Sequence, residues 1–272
     1  MRPWFGSSGP AGHDDSVFAL ESGWYPLPVS RPRIRLASAK VRKLVRLLGN
    51  RAYWPALRQG VAASVEHSVI PFGENFATVL DVGASRGQFA LFSRANFPNA
   101  RIICFEPQPG PAGDLRRVLG GRVELIGSAL GPEKGEAEMN VSARDDSSSL
   151  RAIGDRQVAE FPGTQTDHSI RVPVTTLDDV LELPLERPCL LKIDVQGFEL
   201  DVLRGGANTL QQVDVALIEC SFIELYEGQA LAEEVVTFMR QAGFRLAGVH
   251  GIAYSADGSA IQADFLYRRA EA

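Results

Sequence analysis

D-V-G-A-S-R-G, residues Asp81–Gly87, follows the apolar run T-V-L-D-V and opens a stretch carrying Phe89, Leu91, Phe92 and Ala95. A strand, a glycine-rich turn and a helix in that order begin a βαβ unit. Gly83 and Gly87 leave no Cβ where the backbone turns sharply and where a ligand would press against it. Nineteen residues beyond Gly87, the next apolar run, R-I-I-C-F-E, ends in Glu106. In dinucleotide-type folds a carboxylate there accepts hydrogen bonds from two ribose hydroxyls. Outward from this unit, R-V-E-L-I-G follows a helix expected around Asp114–Leu119. C-L-L-K-I-D-V leads to a helix over about Leu200–Leu210, and V-A-L-I-E-C to one at about Ala230–Ala242. Near-continuous apolar runs alternating with helices imply an α/β fold, a parallel sheet buried on both faces. F-R-L-A-G-V and Q-A-D-F-L-Y close the chain, with Asp257-Gly258 between them as a hairpin signal.

Composition narrows the classes. The 272 residues are 45% hydrophobic and 22% charged, with 26 Gly and 16 Pro. That excludes a collagen-like repeat, a disulfide scaffold and a mostly disordered chain. No run approaches the roughly 18 consecutive apolar residues of a membrane span. The start, M-R-P-W-F-G-S-S-G-P, lacks the apolar core of a cleaved signal peptide, so a cytoplasmic location is expected. The net charge of −5 is unevenly spread. Residues 1–60 hold ten Lys or Arg and three Asp or Glu; the remainder hold 18 and 30. A nucleic-acid partner is therefore disfavoured. Cys104, Cys189 and Cys220 are odd in number, lie in apolar runs and form no C-x-x-C pair, which predicts buried free thiols.

Residues 1–30, rich in Gly, Pro and Ser, predict a poorly ordered tail. From Ala37 a helix is expected, with Val41, Leu44, Val45 and Leu48 on one stripe, Lys and Arg filling much of the rest, and Gly49-Asn50 as its stop. A second helix is expected from about Ala56 to Val69, closed by Pro71. Residues 1–50 thus form a tail with a basic amphipathic helix, and 51–272 a single domain. Within that domain, residues 135–175 break the rhythm: two strand-like runs flank a polar loop, an inserted hairpin-like region beside the sheet.

The glycine spacing is G-x-x-x-G, not the G-x-G-x-x-G of dinucleotide binders, and no G-x-x-x-x-G-K-[ST] occurs. An adenosyl ligand bearing an amino acid and a sulfonium needs room for a compact, partly cationic group, which a carboxylate such as Asp81 suits; the other reading of Asp81 is a cap on the turn. In L-L-K-I-D-V-Q-G-F-E-L, Asp194 stands where a buried strand emerges, a costly place for a charge unless chemistry uses it. Glu199 reads either as a partner in that chemistry or as a helix-start carboxylate. Glu219 ends the next strand. Asp81, Glu106, Asp194 and Glu219 thus fall at one edge of the inferred sheet and describe a site. Asp145 and Ser147, in D-D-S-S-S-L, read either as ligands of sugar hydroxyls or as turn formers. His168 reads as a general base or a surface histidine; His67 and His250 read as structural.

These pieces together closely resemble the FkbM family of S-adenosylmethionine-dependent methyltransferases, from about Arg51 to Arg268. The resemblance rests on D-V-G-A-S-R-G-Q-F-A, F-E-P, S-A-L-G, D-D-S-S-S-L, K-I-D-V-Q-G-F-E and V-L-R-G. It implies a Rossmann-like seven-stranded sheet with the last strand antiparallel, and O-methylation of a hydroxyl on a sugar, glycan or related natural product. It implies that Asp81, Gly83, Ala84 and Gly87 line the methionine end of S-adenosylmethionine. Glu106 would hold the ribose with Pro107 turning the chain away, Ser128 and Ala129 would sit near the adenine, and Asp194 and Glu199 would face the acceptor. Asp194 is expected to act as base or as ligand of a divalent metal, with Glu199 or Glu219 assisting. The rivals are an NAD-dependent oxidoreductase and a non-catalytic nucleotide-binding scaffold. The basic helix would dock on an acidic membrane surface or a charged glycan carrier, or cover the domain's own acidic face, the reading favoured here.

Overall fold

The computed structural model describes residues 32–73 and 75–270, the side chains of residues 32–40 and of Asp145 excepted. The tail expected over 1–30 lies outside the described residues. The chain divides into two compact units, 1–40 and 41–272, and everything below concerns the second unless stated.

Helix α1 (Pro32–Gly49) is followed by α2 (Trp54–Leu57). The single helix expected over 56–69 is not formed. Gly60 takes φ +80°, a left-handed turn that stops α2, and only a 3-10 turn forms at Val65–Val69. Then come β1 (Thr78–Val82), α3 (Gln88–Asn96), β2 (Arg101–Phe105), α4 (Pro109–Leu119) and β3 (Glu124–Ile126). The inserted region supplies β4 (Ala129–Leu130), β5 (Gly135–Ser142), α5 (Asp155–Glu160) and β6 (Thr166–Thr175). After α6 (Leu177–Val180) the chain returns through β7 (Cys189–Ile193), α7 (Glu199–Arg204), α8 (Ala207–Leu210), β8 (Val215–Ser221), α9 (Ala232–Gln241), β9 (Phe244–Tyr254) and β10 (Ala260–Arg269).

Seven strands form one sheet in the order β3-β2-β1-β7-β8-β10-β9. Only β10 runs antiparallel to its neighbours, forming the terminal hairpin with β9. Alternation along each strand sends Val79, Ile102 and Leu190 to one face, packed under α3 and α4 through Phe89, Phe92 and Leu115. Leu80, Ile103 and Leu191 go to the other, under α7 to α9 through Leu203, Leu210 and Met239. Both faces are covered, which is why the strands read as unbroken apolar runs. The expected hairpin is a separate three-stranded sheet, β4-β6-β5, with β5 and β6 antiparallel.

The helix expected over 200–210 is two helices, parted at Gly205-Gly206. A Cβ on Gly205 would stand 2.0 Å from the Gly131 carbonyl oxygen, so the glycine lets the β4 loop approach and interrupts the helix. Cys104, Cys189 and Cys220 are free and buried, as their settings predict. Among the described residues no helix is long and apolar enough to cross a membrane. Strand order reverses between β1 and β7, and in open α/β sheets ligands bind outside the carboxyl ends of the strands at such a point.

Candidate functional site

A cavity of about 300 Å³ opens at that reversal. Its floor is the turn after β1. Gly83 takes φ +76°, and its amide and that of Ala84 donate to the Phe105 carbonyl oxygen at 3.1 and 3.0 Å, tying the turn to β2. A Cβ on Gly83 would stand 1.9 Å from the Asp194 carbonyl oxygen, so the glycine allows the β1 and β7 loops to touch. Gly87 serves packing: its Cβ would meet Leu119 and Leu115 of α4 at 3.0–3.1 Å.

Glu106 ends β2 as the spacing predicts and lines the cavity. Its carboxylate accepts from the Ser85 amide and the Gln108 amide, both at 2.8 Å, which fixes its orientation. Burial pushes its carboxyl up to about 7 against the pull of those two amides. Each oxygen keeps a lone pair, so the group can still accept from two ligand hydroxyls. Phe105, Leu130 and Met139 give the neighbouring wall an apolar surface, with Pro107, Ser128 and Ala129 beside them. Ser85 Oγ and Gln88 Oε1 line the same space, buried and without a hydrogen-bond partner among the described residues. Unpaired buried polar atoms in a cavity suit a ligand that supplies donors and acceptors.

Lys192 pins the floor from below. Its ammonium lies 3.4 Å from the Gly83 carbonyl oxygen, 3.3 Å from Asp194 Oδ2 and 3.7 Å from Asp81 Oδ1, and over the Phe89 ring at 5.9 Å. Burial works against its charge, but Asp194 and Asp81 outweigh that and hold it above the ordinary lysine value. Asp81 is fully buried and off the cavity surface. Burial raises its carboxyl, with Lys192 opposing.

Asp194 leaves β7 at the other end of the cavity, its side chain about one third exposed (34%). Burial pushes its carboxyl up, but the Lys192 ammonium and the amide of Gln196 (Nε2 to Oδ1, 2.7 Å) prevail and hold it below the ordinary aspartate range. Gln196, in the left-handed region at φ +57°, also donates to Glu219 Oε2 at 2.9 Å and accepts from the Tyr226 hydroxyl at 2.6 Å. Glu219 lies behind it, its other oxygen accepting from Gln262. Burial and the nearby Asp194, Asp264 and Glu199 carboxylates push Glu219 well up.

Of the remaining expected site residues, Glu199, Ser147 and His168 lie off the cavity wall. Glu199 is buried; its Oε1 accepts from the Val195 and Gly197 amides at 3.1 and 3.0 Å and so shapes the loop that carries Asp194. Ser147 is buried, and its carbonyl accepts from the Tyr226 hydroxyl at 3.2 Å; its neighbours Asp146 and Ser148 line the cavity. His168 stands exposed on β6 beside Asp167 at 2.9 Å. The Asp145 side chain lies outside the described residues. His67, read as structural, lines the cavity, its Nδ1 3.2 Å from the Ser64 carbonyl oxygen and its Nε2 3.6 Å from Asp264. Lys192 and Gln196 both sit inside the quoted motif without having been assigned a role. The available signal was a lysine within an otherwise apolar strand, a charge that burial obliges to pair.

The donor set does not fit the divalent metal considered at Asp194. That carboxylate is engaged by Lys192 and Gln196, and among the described residues no three His, Cys, Asp or Glu are grouped to share an ion.

Glu199 carries a test. Burial lifts its carboxyl to about 7, above the roughly 4.3 of an unfolded chain. The stability it contributes below the unfolded value is lost as pH rises through about 7, because the native state then gives up a proton it held more tightly. Glu199→Gln keeps an oxygen for both amides and is expected to flatten the fall in melting temperature between about pH 5 and pH 8. An unchanged slope in thermal scans would assign that titration elsewhere.

A model of the methyltransferase FkbM domain matches residues 81–246. The "2-O-methyltransferase NoeI" of Sinorhizobium fredii is 34% identical over 161 residues, 56% of this chain and 66% of that protein. The "31-O-demethyl-FK506 methyltransferase FkbM" of Streptomyces tacrolimicus is 30% identical over 196 residues, 61% of this chain and 72% of that protein. The "Hexuronic acid methyltransferase AglP" of Haloferax volcanii is 26% identical over 140 residues, 51% of this chain and 54% of that protein.

Proposed function

The chain belongs to the FkbM methyltransferase family, and from that premise we propose that it transfers the methyl group of S-adenosylmethionine to a hydroxyl oxygen of a sugar or related glycan. The observation that carries this reading is the single cavity holding Glu106 at one end and Asp194 at the other. Two relatives are named for O-methylation and one for a hexuronic acid, which supports a hydroxyl acceptor on a sugar. The family lends no support to the nicotinamide or scaffold alternatives.

S-adenosylmethionine, when bound, supplies an electrophilic methyl group on a sulfonium. Glu106 would accept from the ribose hydroxyls, its direction set by the Ser85 and Gln108 amides. Phe105, Leu130 and Met139, which line the cavity, would flank the base. Ser85 Oγ and Gln88 Oε1 are available to the amino-acid end. Asp194 receives the acceptor's proton on its carboxylate. A sugar hydroxyl is weakly acidic until its oxygen begins to bond carbon, so the carboxylate need only be ionised and in place when the proton becomes acidic. Lys192 and Gln196 keep it so. Asp146, Ser148 and Gln196 offer hydrogen-bond partners to acceptor hydroxyls, and Phe198 an apolar surface to a ring face.

The test has two arms. Calorimetry should show S-adenosylhomocysteine binding and NAD failing to bind. Radiolabelled methyl transfer to a panel of glycans should label a hydroxyl oxygen; binding without transfer to any hydroxyl would remove the proposal. The Glu106 carboxyl, lifted to about 7, adds a pH signature. Ribose hydroxyls donate to its ionised form, so affinity for S-adenosylhomocysteine should rise with pH up to about 7, by at most about tenfold per unit, and then level. Glu106→Gln should abolish this dependence and weaken binding by about 10–100-fold. A pH dependence surviving in that variant would separate Glu106 from the ribose.

A further inference from the structure

Helix α1 carries six Lys or Arg and no Asp or Glu, in a chain of net charge −5. Its described side chains divide into two sides. Leu47 enters the core with Tyr53 and Ala56. Lys43 lines the cavity and pairs with Glu66 at 3.1 Å, and Arg46 donates to the Val65 carbonyl oxygen. On the other side Val41, Leu44, Val45 and Leu48 stand 59%, 53%, 64% and 54% exposed. Their i, i+3, i+4, i+7 spacing makes them one continuous stripe. Trp54 prolongs it: its indole donates to the Leu48 carbonyl oxygen at 3.0 Å, its side chain stays partly exposed, and the Arg51 guanidinium lies 5.8 Å over its ring.

A helix whose task was to cover the acidic domain would turn its apolar stripe inward. Here Leu47 and Lys43 face in and the stripe faces out. An exposed apolar stripe marks an interaction surface, and the charge around it selects the occupant. A symmetric contact between two copies of the chain would set one cation-rich helix against another. The exposed Arg42 and Arg51, beside an apolar stripe that ends in a tryptophan, instead match an acyl boundary beneath anionic headgroups. We propose that α1 lies in the headgroup layer of an anionic lipid surface, with Val41, Leu44, Val45 and Leu48 entering the acyl boundary. Lys43 then faces away from the lipid, and the cavity it lines stands about one helix diameter, roughly 10 Å, from the headgroups.

The experiment is co-sedimentation of the full-length chain with vesicles of phosphatidylcholine alone or with about one third phosphatidylglycerol. Binding to the anionic vesicles, weakened by salt and much weaker on the neutral ones, is the expected result. Leu44→Asp combined with Leu48→Asp should lower partitioning by about 100-fold, roughly tenfold per leucine, with melting temperature and S-adenosylhomocysteine affinity unchanged. No vesicle binding, or equal binding to both vesicle types, overturns the proposal. So does a dimeric mass in light scattering that the double variant halves while vesicle binding is absent, which would assign the stripe to a second copy. The cofactor and transfer assays are independent of these readouts, so either reading can fail alone.

Discussion

Asp194→Asn is expected to lower kcat by about 10²–10⁴ while leaving S-adenosylhomocysteine affinity within about threefold, the range that loss of a positioned base produces. The substitution keeps shape but removes the negative charge and, with it, the ability to take a proton. Lys192 retains the Asp81 carboxyl at 3.7 Å, and Gln196 retains Glu219 and Tyr226, so the loop keeps most of its anchors. The asparagine must set either an oxygen or an NH2 against the Lys192 ammonium, where Asp194 Oδ2 stood at 3.3 Å. A modest fall in melting temperature is therefore expected too. Stopped-flow or discontinuous methyl transfer separates the outcomes. A collapse of kcat with intact ligand binding assigns Asp194 to the proton. Loss of binding and rate together assigns it to the loop, and near-normal kcat removes it from the chemistry.

Gly83→Ala is expected to abolish cofactor binding and to cost more than about 3 kcal/mol of stability, a large share of the ~5–15 kcal/mol of a typical domain. Two causes act together. At φ +76° an alanine pays the left-handed penalty, about 1–2 kcal/mol. Its Cβ would also stand 1.9 Å from the Asp194 carbonyl oxygen, a backbone atom that moves only if the β1 and β7 loops part. Gly258 provides the control: its φ is +89° and nothing lies within 4 Å of its Cβ position, so Gly258→Ala feels strain without collision. Urea denaturation of both variants, with calorimetry of S-adenosylhomocysteine binding, reads the difference. Equal losses in the two would dismiss the collision.

The parts of the fold legible in the sequence are those that neighbouring residues decide. The β1 turn, the strand ending in Glu106 and the terminal hairpin at Asp257-Gly258 follow from local period and turn chemistry, and they stand where that chemistry puts them. The helix breaks at Gly60 and Gly205-Gly206 were not legible, because apolar spacing runs on across both. At the second break Gly205 stands against the Gly131 carbonyl, some seventy residues away in the chain, where no Cβ fits. The same distinction holds at the site. Glu106 and Asp194 announce themselves as carboxylates at strand ends. The bridge of Gln196 between Asp194 and Glu219 is assembled from β7, β8 and the Tyr226 loop, so no single stretch encodes it. Glu199 shows the limit of residue type alone: the carboxylate spaced to join the chemistry spends its oxygen on two backbone amides.

The small β4-β6-β5 sheet has a consequence for how this enzyme can diversify. Ala129 pairs with Val174 and Leu130 with Thr175, so the segment between them leaves and re-enters the molecule at adjacent points. Inside that span lie Met139, Asp146, Ser148 and Leu150, all on the cavity wall, while the seven-stranded sheet takes none of its strands from it. A segment whose ends already lie side by side can be exchanged with little added cost of closure. On the proposed reading, selectivity is carried on a removable drawer: a new acceptor wall can be fitted in one genetic event, leaving the seven-stranded cabinet in place.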